Sequence, residues 1–559
     1  MKIVIVGGVA AGMSAAARAR RLAEDAQIVV LERGPHVSFA ACGLPYHLSG
    51  EIADADDLLL HTPASLQSAL GLDVRTHSEA VAIDRAARTV RVAGPQGEYD
   101  EPYDALLLAP GAVAVAPPLP GLDLPAVRTL RTVADAVALR ERVDAGARRA
   151  VVLGAGFIGL EAVEALRHRG VDVDLVERAP QVLPPLDPEL GALVAGELAD
   201  HGVRVRTGVS ATGVEEAPDG GMVVVLDDGS RLPADLVVLS VGVRPDSALA
   251  AAAGLDVDAR GAIVVDAAQR TSDPHVWAAG DATAVVHAVT GARGPVPLAG
   301  PANRAGRTAA DSMLGAEVAS PPVLGTAVVR VMGLTAAVTG ANAAMLADVE
   351  HHTLHLHGGH HAGFYPGAQA VHLVVHVGTD GRLLGAQAVG REGVDKRIDV
   401  IATAVRAGLR ATDLADLELA YAPPYGAAKD PVNMAGFVAQ NVLDGTLALW
   451  HARDLDAVRA SALVLDVRGD AEWASGHLPE ALHVPHTQLR DRLDEVVAAA
   501  AGRPVRVHCA SGVRSYLAHR VLVAAGLDSA SLSGGMQTLR AVHPDLDLVT
   551  DADRVPQPA

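Results

Sequence analysis

Two stretches of this chain repeat one pattern: an apolar run, a glycine turn, a helix-forming segment, a second apolar run and a closing glutamate. In the first, Lys2-Ile3-Val4-Ile5-Val6 enters Gly7-Gly8-Val9-Ala10-Ala11-Gly12, the alanine-rich sequence from Ala10 to Ala23 reads as a helix, and Ile28-Val29-Val30-Leu31 ends at Glu32, with Arg33 beside it. In the second, Ala150-Val151-Val152-Leu153 enters Gly154-Ala155-Gly156-Phe157-Ile158-Gly159, a helix is expected over 157–168, and Val173-Asp174-Leu175-Val176 ends at Glu177. Short apolar runs separated by a helix are strands buried on both faces, and strand–helix–strand order builds a parallel sheet. Glycines at such turns let a pyrophosphate approach the N–H groups of the helix start, and the glutamate meets a ribose diol. The sequence therefore predicts two Rossmann-like dinucleotide units in an α/β chain.

The two sites are expected to differ. Gly154, Gly156 and Gly159 keep the full GxGxxG spacing, and Glu177 repels a 2′-phosphate, so this site is expected to take NADH, with NADPH admitted by the adjacent Arg178. The first turn departs from that spacing because Gly8 directly follows Gly7; Gly7, Gly8, Ala11 and Gly12 are its candidate contacts. A later segment, Thr271 to Ala279, is an apolar strand ending in Gly280-Asp281. Alone, Asp281 is a turn aspartate. Together with Gly7 and Glu32 it points to a flavin, its carboxylate beside the ribityl chain, so FAD is expected at the first site. Leu106-Leu107-Leu108-Ala109-Pro110-Gly111 and Leu236 to Gly242 read as matched strand ends where the chain leaves the first unit and returns.

A length of 559 residues allows several domains. The expected division is an FAD-binding domain over 1–110 and 245–320, an NAD(P)H-binding domain over 111–244, an α+β module over 321–445, a linker over 446–459 and a C-terminal α/β domain over 460–555. A net charge of -20 argues against nucleic acid and anionic membrane surfaces as partners. Two cysteines make no disulfide framework, and the amino terminus lacks a signal-peptide layout, so a reducing cytoplasm is expected.

Those cysteines each sit in a distinct motif. Cys42 lies in Ser38-Phe39-Ala40-Ala41-Cys42-Gly43-Leu44-Pro45-Tyr46, and Cys509 opens Cys509-Ala510-Ser511-Gly512-Val513-Arg514. Both are expected at helix starts, where a thiolate is stabilised. With one cysteine near the flavin site, the second sulfur of any redox pair is expected to belong to a substrate. In the Cys509 loop, closed by a helix expected near Ser515, converging N–H groups suit a thiolate or persulfide. Asp466 and Arg468 are expected to support that loop. His351 to His361 is histidine-rich; His355 and His357 share a strand face, yet no familiar ligand spacing follows. No metal is expected, and the segment is read as a solvated strand with a loop.

Ser-Phe-x-x-Cys-Gly-Leu-Pro-Tyr, the glycine turn before it, and Tyr421-Ala422-Pro423-Pro424-Tyr425-Gly426-x-x-Lys429-Asp430-Pro431-x-Asn433-Met434 resemble the coenzyme A-disulfide reductase family, which includes persulfide and polysulfide reductases with a fused rhodanese domain. The order Leu463 to Arg468, Trp473 to Pro485 and the Cys509 loop resembles a rhodanese sulfurtransferase domain. The resemblance implies a homodimeric FAD enzyme with Cys42 as redox nucleophile. It implies a coenzyme A site formed by Ser14, Arg18, Arg21, Ser38, Asn303 and Lys429, and two tyrosines, Tyr365 and Tyr421, supplied by the partner subunit as proton donors. The expected activity is NAD(P)H-dependent reduction of coenzyme A persulfide, polysulfide or coenzyme A disulfide, coupled to sulfur transfer at Cys509. The alternative is an NADH oxidase reducing oxygen at the flavin.

Overall fold

Both nucleotide units close as parallel sheets of the same plan. In the computed structural model, which describes residues 1–217 and 221–550, Lys2–Val6 is flanked by Gln27–Leu31 and Ala105–Leu108, with Asp73–Arg75 and Val276–Ala278 at the edges. In the second sheet Arg149–Leu153 is flanked by Asp172–Glu177 and Leu236–Leu239, with Arg204–Thr207 and Val127–Arg128 at the edges. All these pairs are parallel, and after Lys2 and Arg149 at their starts the central strands are apolar and buried, as strands covered on both faces are. Each sheet receives a three-stranded antiparallel insertion, over 79–102 and 211–234. A two-stranded ribbon, Ala112–Ala114 against Val243–Pro245, joins the two halves where the chain crosses out and back.

The chain divides into two units. The first is Met1–Leu183 with Leu198–Gly325, and the second is Pro184–Glu197 with Thr326–Ala559. The second unit holds a five-stranded antiparallel sheet, in the order Ala327–Val331, Leu334–Gly340, Leu383–Gly390, Ala370–Gly378, His351–Gly359. Helices Val394–Ala407 and Pro431–Leu443 bury one face of it through Leu354, Leu356, Leu373, Ile398, Ile401 and Ala435. The same unit holds a parallel sheet in the order Leu449–Trp450, Ser529–Leu532, Val505–His508, Leu463–Asp466, Leu482–His483.

The segment 446–459 differs from its expected role as a linker. Leu449–Trp450 is a strand of the C-terminal sheet, paired with Ser531 and Leu532, and Leu455–Ser461 is a helix on that sheet with Leu455 and Val458 buried. A two-residue strand has no periodicity to read, which hid it. Residues 218–220 and the last part of the expected C-terminal domain, 551–555, lie outside the described residues. Among the described residues no helix is long and apolar enough to cross a membrane.

Candidate functional site

The two glycine turns share the same close contacts. Gly7 and Gly154 have φ of +101° and +100°, a backbone region closed to most side chains. A Cβ at Gly12 would overlap the Gly7 carbonyl oxygen, and one at Gly159 the Gly154 carbonyl oxygen. Glu32 accepts from the N–H groups of Gly8 (2.8 Å) and Gly34 (2.7 Å), and Glu177 accepts from those of Ala155 and Ala179 (both 2.7 Å). The middle position differs: Gly156 has no protein atom near where a Cβ would stand, leaving that side open to a ligand, and Val9 occupies the corresponding place in the first turn. The first turn is thus a full cradle in spite of its spacing. Helix Ala10–Leu22 presents its first N–H groups there, and the residues fit a dinucleotide.

Around the first cradle, Gly111 and Gly280 adopt φ of +76° and +83°. Arg33 pairs with Asp246 at 2.9 Å. Asp281 lies 3.6 Å from Arg131, and burial raises its carboxyl above the usual range against the pull of that guanidinium. Cys42 is an exposed free thiol on the 3-10 turn Ala41–Gly43. The turn is pinned by Ala40 N–H on the Leu58 carbonyl (2.8 Å), and a Cβ at Gly43 would press on Leu58 at 2.5 Å. Ser38, which starts the motif, has φ of +50°.

The protein groups around Cys42 act on its thiol in both directions. Desolvation, then the nearby Glu161 and Asp281 carboxylates, push the thiol up, and Arg131 opposes them. The helix after it, Leu44–Ser49, is six residues long and follows the cysteine.

Helices Ala10–Leu22 and Ala299–Met313 cross closely, since a Cβ at Gly306 would overlap the Ala11 carbonyl oxygen. This crossing brings together Ser14 and Asn303, whose side chains hydrogen-bond at 2.9 Å. Arg18 pairs with Asp311 at 2.6 Å, and Arg21 is exposed. One turn after Asn303, Arg307 is exposed on the same helix; its spacing from Asn303 on a helix was the signal that could have found it. Arg131 offered no such signal.

In the second unit, Tyr365 and Tyr421 are 41% and 50% exposed and stand on two loops tied to each other. Ala362 N–H donates to the Gly426 carbonyl at 2.8 Å. Arg397, 1% exposed, ion-pairs with Asp430 (2.6 Å) and donates to the carbonyls of His360 (2.7 Å) and Gly393 (3.0 Å). Lys429 is exposed beside them.

The Cys509 loop lies between strand Val505–His508 and helix Val513–Ala524. The helix starts before Ser515, so Arg514 is in its first turn. Gly512 N–H donates to the Cys509 sulfur at 3.2 Å, and the Ser515 hydroxyl lies 3.4 Å from it. Ala510 and Ser511 complete the turn, and Val513 is 62% exposed at its mouth. Arg514 forms a bidentate pair with Glu472 (2.6 and 2.7 Å) that holds the carboxyl below its usual range. Glu472 was not singled out by sequence. Behind the loop, Arg468 makes a buried fork with Asp466 and donates to the Gly476 carbonyl.

The histidine-rich strand is packed where a solvated one was expected. His355 bonds Ser533 (2.7 Å) and Glu189 (2.6 Å), and His357 bonds His372 (2.7 Å) and Thr538 (2.9 Å). Burial pushes the His357 imidazole down to about 3, assisted by His372. No group of three or more ligating side chains that could hold a metal ion occurs among the described residues.

Residues 1–304 match the family described as pyridine nucleotide-disulphide oxidoreductase, 326–431 match its dimerisation domain, and 448–541 match the rhodanese-like domain. The chain is 34% identical over 446 residues to a coenzyme A disulfide reductase of Staphylococcus haemolyticus, covering 79% of this chain and 100% of the relative. The crystal structure of reduced Bacillus anthracis CoADR-RHD is 40% identical with a TM-score of 0.95, covering 98% of this chain and 99% of that one. A NAD-dependent persulfide reductase from A. fulgidus is 36% identical with a TM-score of 0.89, covering 96% and 100%. The two matched glycine cradles, the dimerisation sheet and the cysteine loop are thus parts of one known plan, and the chain belongs to the pyridine nucleotide-disulphide oxidoreductases, with a rhodanese-like domain at its C-terminal end.

Proposed function

We propose that the chain is an NAD(P)H-dependent reductase of coenzyme A persulfide, polysulfide or coenzyme A disulfide, with sulfur carried at Cys509. The observation that carries this reading is the lone exposed thiol, Cys42, in a unit with two dinucleotide cradles and no second cysteine. A redox cycle at one protein sulfur requires the other sulfur to come from substrate. The Cys42 thiolate attacks the coenzyme A sulfur, or a sulfane sulfur of polysulfide; an S–S bond breaks, and sulfide, coenzyme A thiolate or the shortened polysulfide leaves. An electron pair then splits the mixed disulfide and restores both thiolates. The Gly7–Glu32 cradle would hold FAD, which when bound would relay an electron pair from NAD(P)H to that disulfide.

The chain's own residues then divide the work. Gly154, Gly156, Gly159 and Glu177 bind the nicotinamide dinucleotide, and Glu177 favours NADH. Gly7, Gly8, Ala11, Gly12, Glu32, Arg33, Gly111, Gly280 and Asp281 hold FAD. Ser14, Arg18, Arg21, Ser38, Asn303 and Lys429, joined by Arg307, bind coenzyme A, the cations meeting its phosphates. Tyr365 and Tyr421 reach the active sulfur of a partner subunit in a homodimer and protonate the leaving thiolate. Residues 1–110 with 245–320, then 111–244, form the two nucleotide domains. Two unpaired thiols favour a cytoplasmic location.

The test is anaerobic NADH consumption with sulfide detection, comparing polysulfide, coenzyme A persulfide and coenzyme A disulfide. Cys42→Ser is expected to abolish turnover while NADH still bleaches the flavin. Sulfide release at the wild-type rate by that variant would sink the reading. Brisk turnover only after air is admitted would establish the oxidase instead.

A further inference from the structure

The floor of the Cys509 loop is held by a histidine from another sheet of the same unit. Strand Ser529–Leu532 ends at Ser533, and Gly534 and Gly535, with φ of +72° and +61°, turn the chain into helix Gly535–Val542. The N–H groups of Met536 and Gln537 donate to the carbonyls of Cys509 (2.8 Å) and Ala510 (3.1 Å). A Cβ at Gly535 would press on the Cys509 carbonyl oxygen at 2.6 Å. The turn 533–537 therefore fixes the peptide planes that bend the loop around its sulfur.

That turn is bolted down by polar groups. Ser533 Oγ lies 2.7 Å from His355 Nδ1 and accepts from the His355 backbone N–H at 3.2 Å. His355 Nε2 lies 2.6 Å from Glu189 Oε1. An ionised carboxylate only accepts, so Nε2 donates to Glu189, while Ser533 Oγ sits between His355 Nδ1 and the Thr353 carbonyl, to which it can donate at 3.3 Å. Two residues along the strand, His357 Nε2 lies 2.9 Å from Thr538 Oγ1 on the following helix. Ser533 is 4% exposed, and the His355 and Glu189 side chains are 7% and 12% exposed. Buried polar groups are costly unless each has its partner, so this arrangement fixes geometry in a way that apolar packing would not.

We propose that His355, oriented by Glu189, is a positioning residue for sulfur transfer at Cys509, acting through Ser533 and the Gly534–Gly535 turn. This rests on the reading of Cys509 as the sulfur-carrying thiolate. The full-length holoenzyme is assayed with thiosulfate and cyanide. The outer sulfur of thiosulfate passes to the Cys509 thiolate with release of sulfite, and cyanide removes it as thiocyanate, restoring the thiolate.

His355→Ala is expected to lower kcat for thiocyanate formation about 10- to 100-fold with the thiosulfate KM within about two-fold. His355→Gln, which can again bond Ser533, is expected to recover part of the loss, and flavin reduction by NADH to stay unchanged in both. In a Cys42→Ser background Cys509 is the sole thiol, and His355→Ala is expected to move its iodoacetamide titration to higher pH. Wild-type thiocyanate formation with an unmoved titration overturns the proposal, and so does a loss that His355→Gln does not recover. A moved titration in a protein with no Cys509-dependent thiocyanate formation supports the positioning role and overturns the sulfur-transfer reading.

Discussion

Replacing Arg397 with methionine removes a side chain that bonds both tyrosine-bearing loops. Its guanidinium donates to Asp430 through Nε (3.2 Å) and Nη2 (2.6 Å), to the His360 carbonyl (2.7 Å) and to the Gly393 carbonyl (3.0 Å), at 1% exposure. Methionine fills much of the volume and leaves Asp430 as a buried carboxylate that still caps Val432 N–H (3.1 Å). Breaking one side of a buried pair costs about 3–5 kcal/mol. At ~1.4 kcal/mol per factor of ten, this corresponds to a loss of local protection of roughly 100- to 4,000-fold. The assay is amide hydrogen exchange on peptides spanning 358–367 and 420–430, where Ala362 N–H donates to the Gly426 carbonyl. Exchange should accelerate by that factor in both peptides, far less in the strand Leu383–Gly390, and reductase turnover should fall with it. Arg397→Lys keeps the charge without the fork and should land between. Exchange in the two peptides within about three-fold of wild type would refute the view that this pair carries the loops.

Three further outcomes are expected. Glu177→Ala should raise the NADPH-to-NADH ratio of kcat/KM about ten-fold, or ~1.4 kcal/mol, because the like charge facing a 2′-phosphate is gone and Arg178 remains; an unmoved ratio would remove Glu177 from cofactor choice. Burial holds the His357 imidazole at about 3 and that of His451 at about 4, below the ordinary 6.5. Unfolded chains therefore bind more protons across that window, and stability fully present above pH 6.5 is lost as pH falls toward 3–4. Circular dichroism against pH should show this, with a shallower slope for His357→Gln. Gly306→Ala puts a methyl onto the Ala11 carbonyl oxygen, so the helix of the first cradle must shift, at about 1–3 kcal/mol; the purified variant should carry substoichiometric flavin by absorbance.

Much of the architecture was written locally. Buried strands, glycine turns and their closing glutamates recur within each nucleotide unit, and chain-local signals of that kind survive without knowledge of neighbours. The first turn shows the limit of a spacing rule. Its glycines at 7 and 12 carry the close approaches, and the middle position tolerates Val9, a distinction only the backbone geometry makes. The period of two placed His355 and His357 on one strand face, yet what they face, Ser533 and Thr538, lies far along the chain. The raised Cys42 thiol has the same origin: the local motif suggests a stabilised thiolate, while Glu161 and Asp281 arrive from distant segments. Trp450 was lost in a strand too short for any pattern.

The strand His351–Gly359 ends its antiparallel sheet, and its outer rim carries the N–H of His355 and the carbonyl of Thr353, both engaged by Ser533 Oγ. A nine-residue rim of this kind, left bare, is a template for another copy of itself. The C-terminal domain is therefore also a guard against self-templating. With the residues after Gly445 removed, the Ser533 bonds to that rim would be lost.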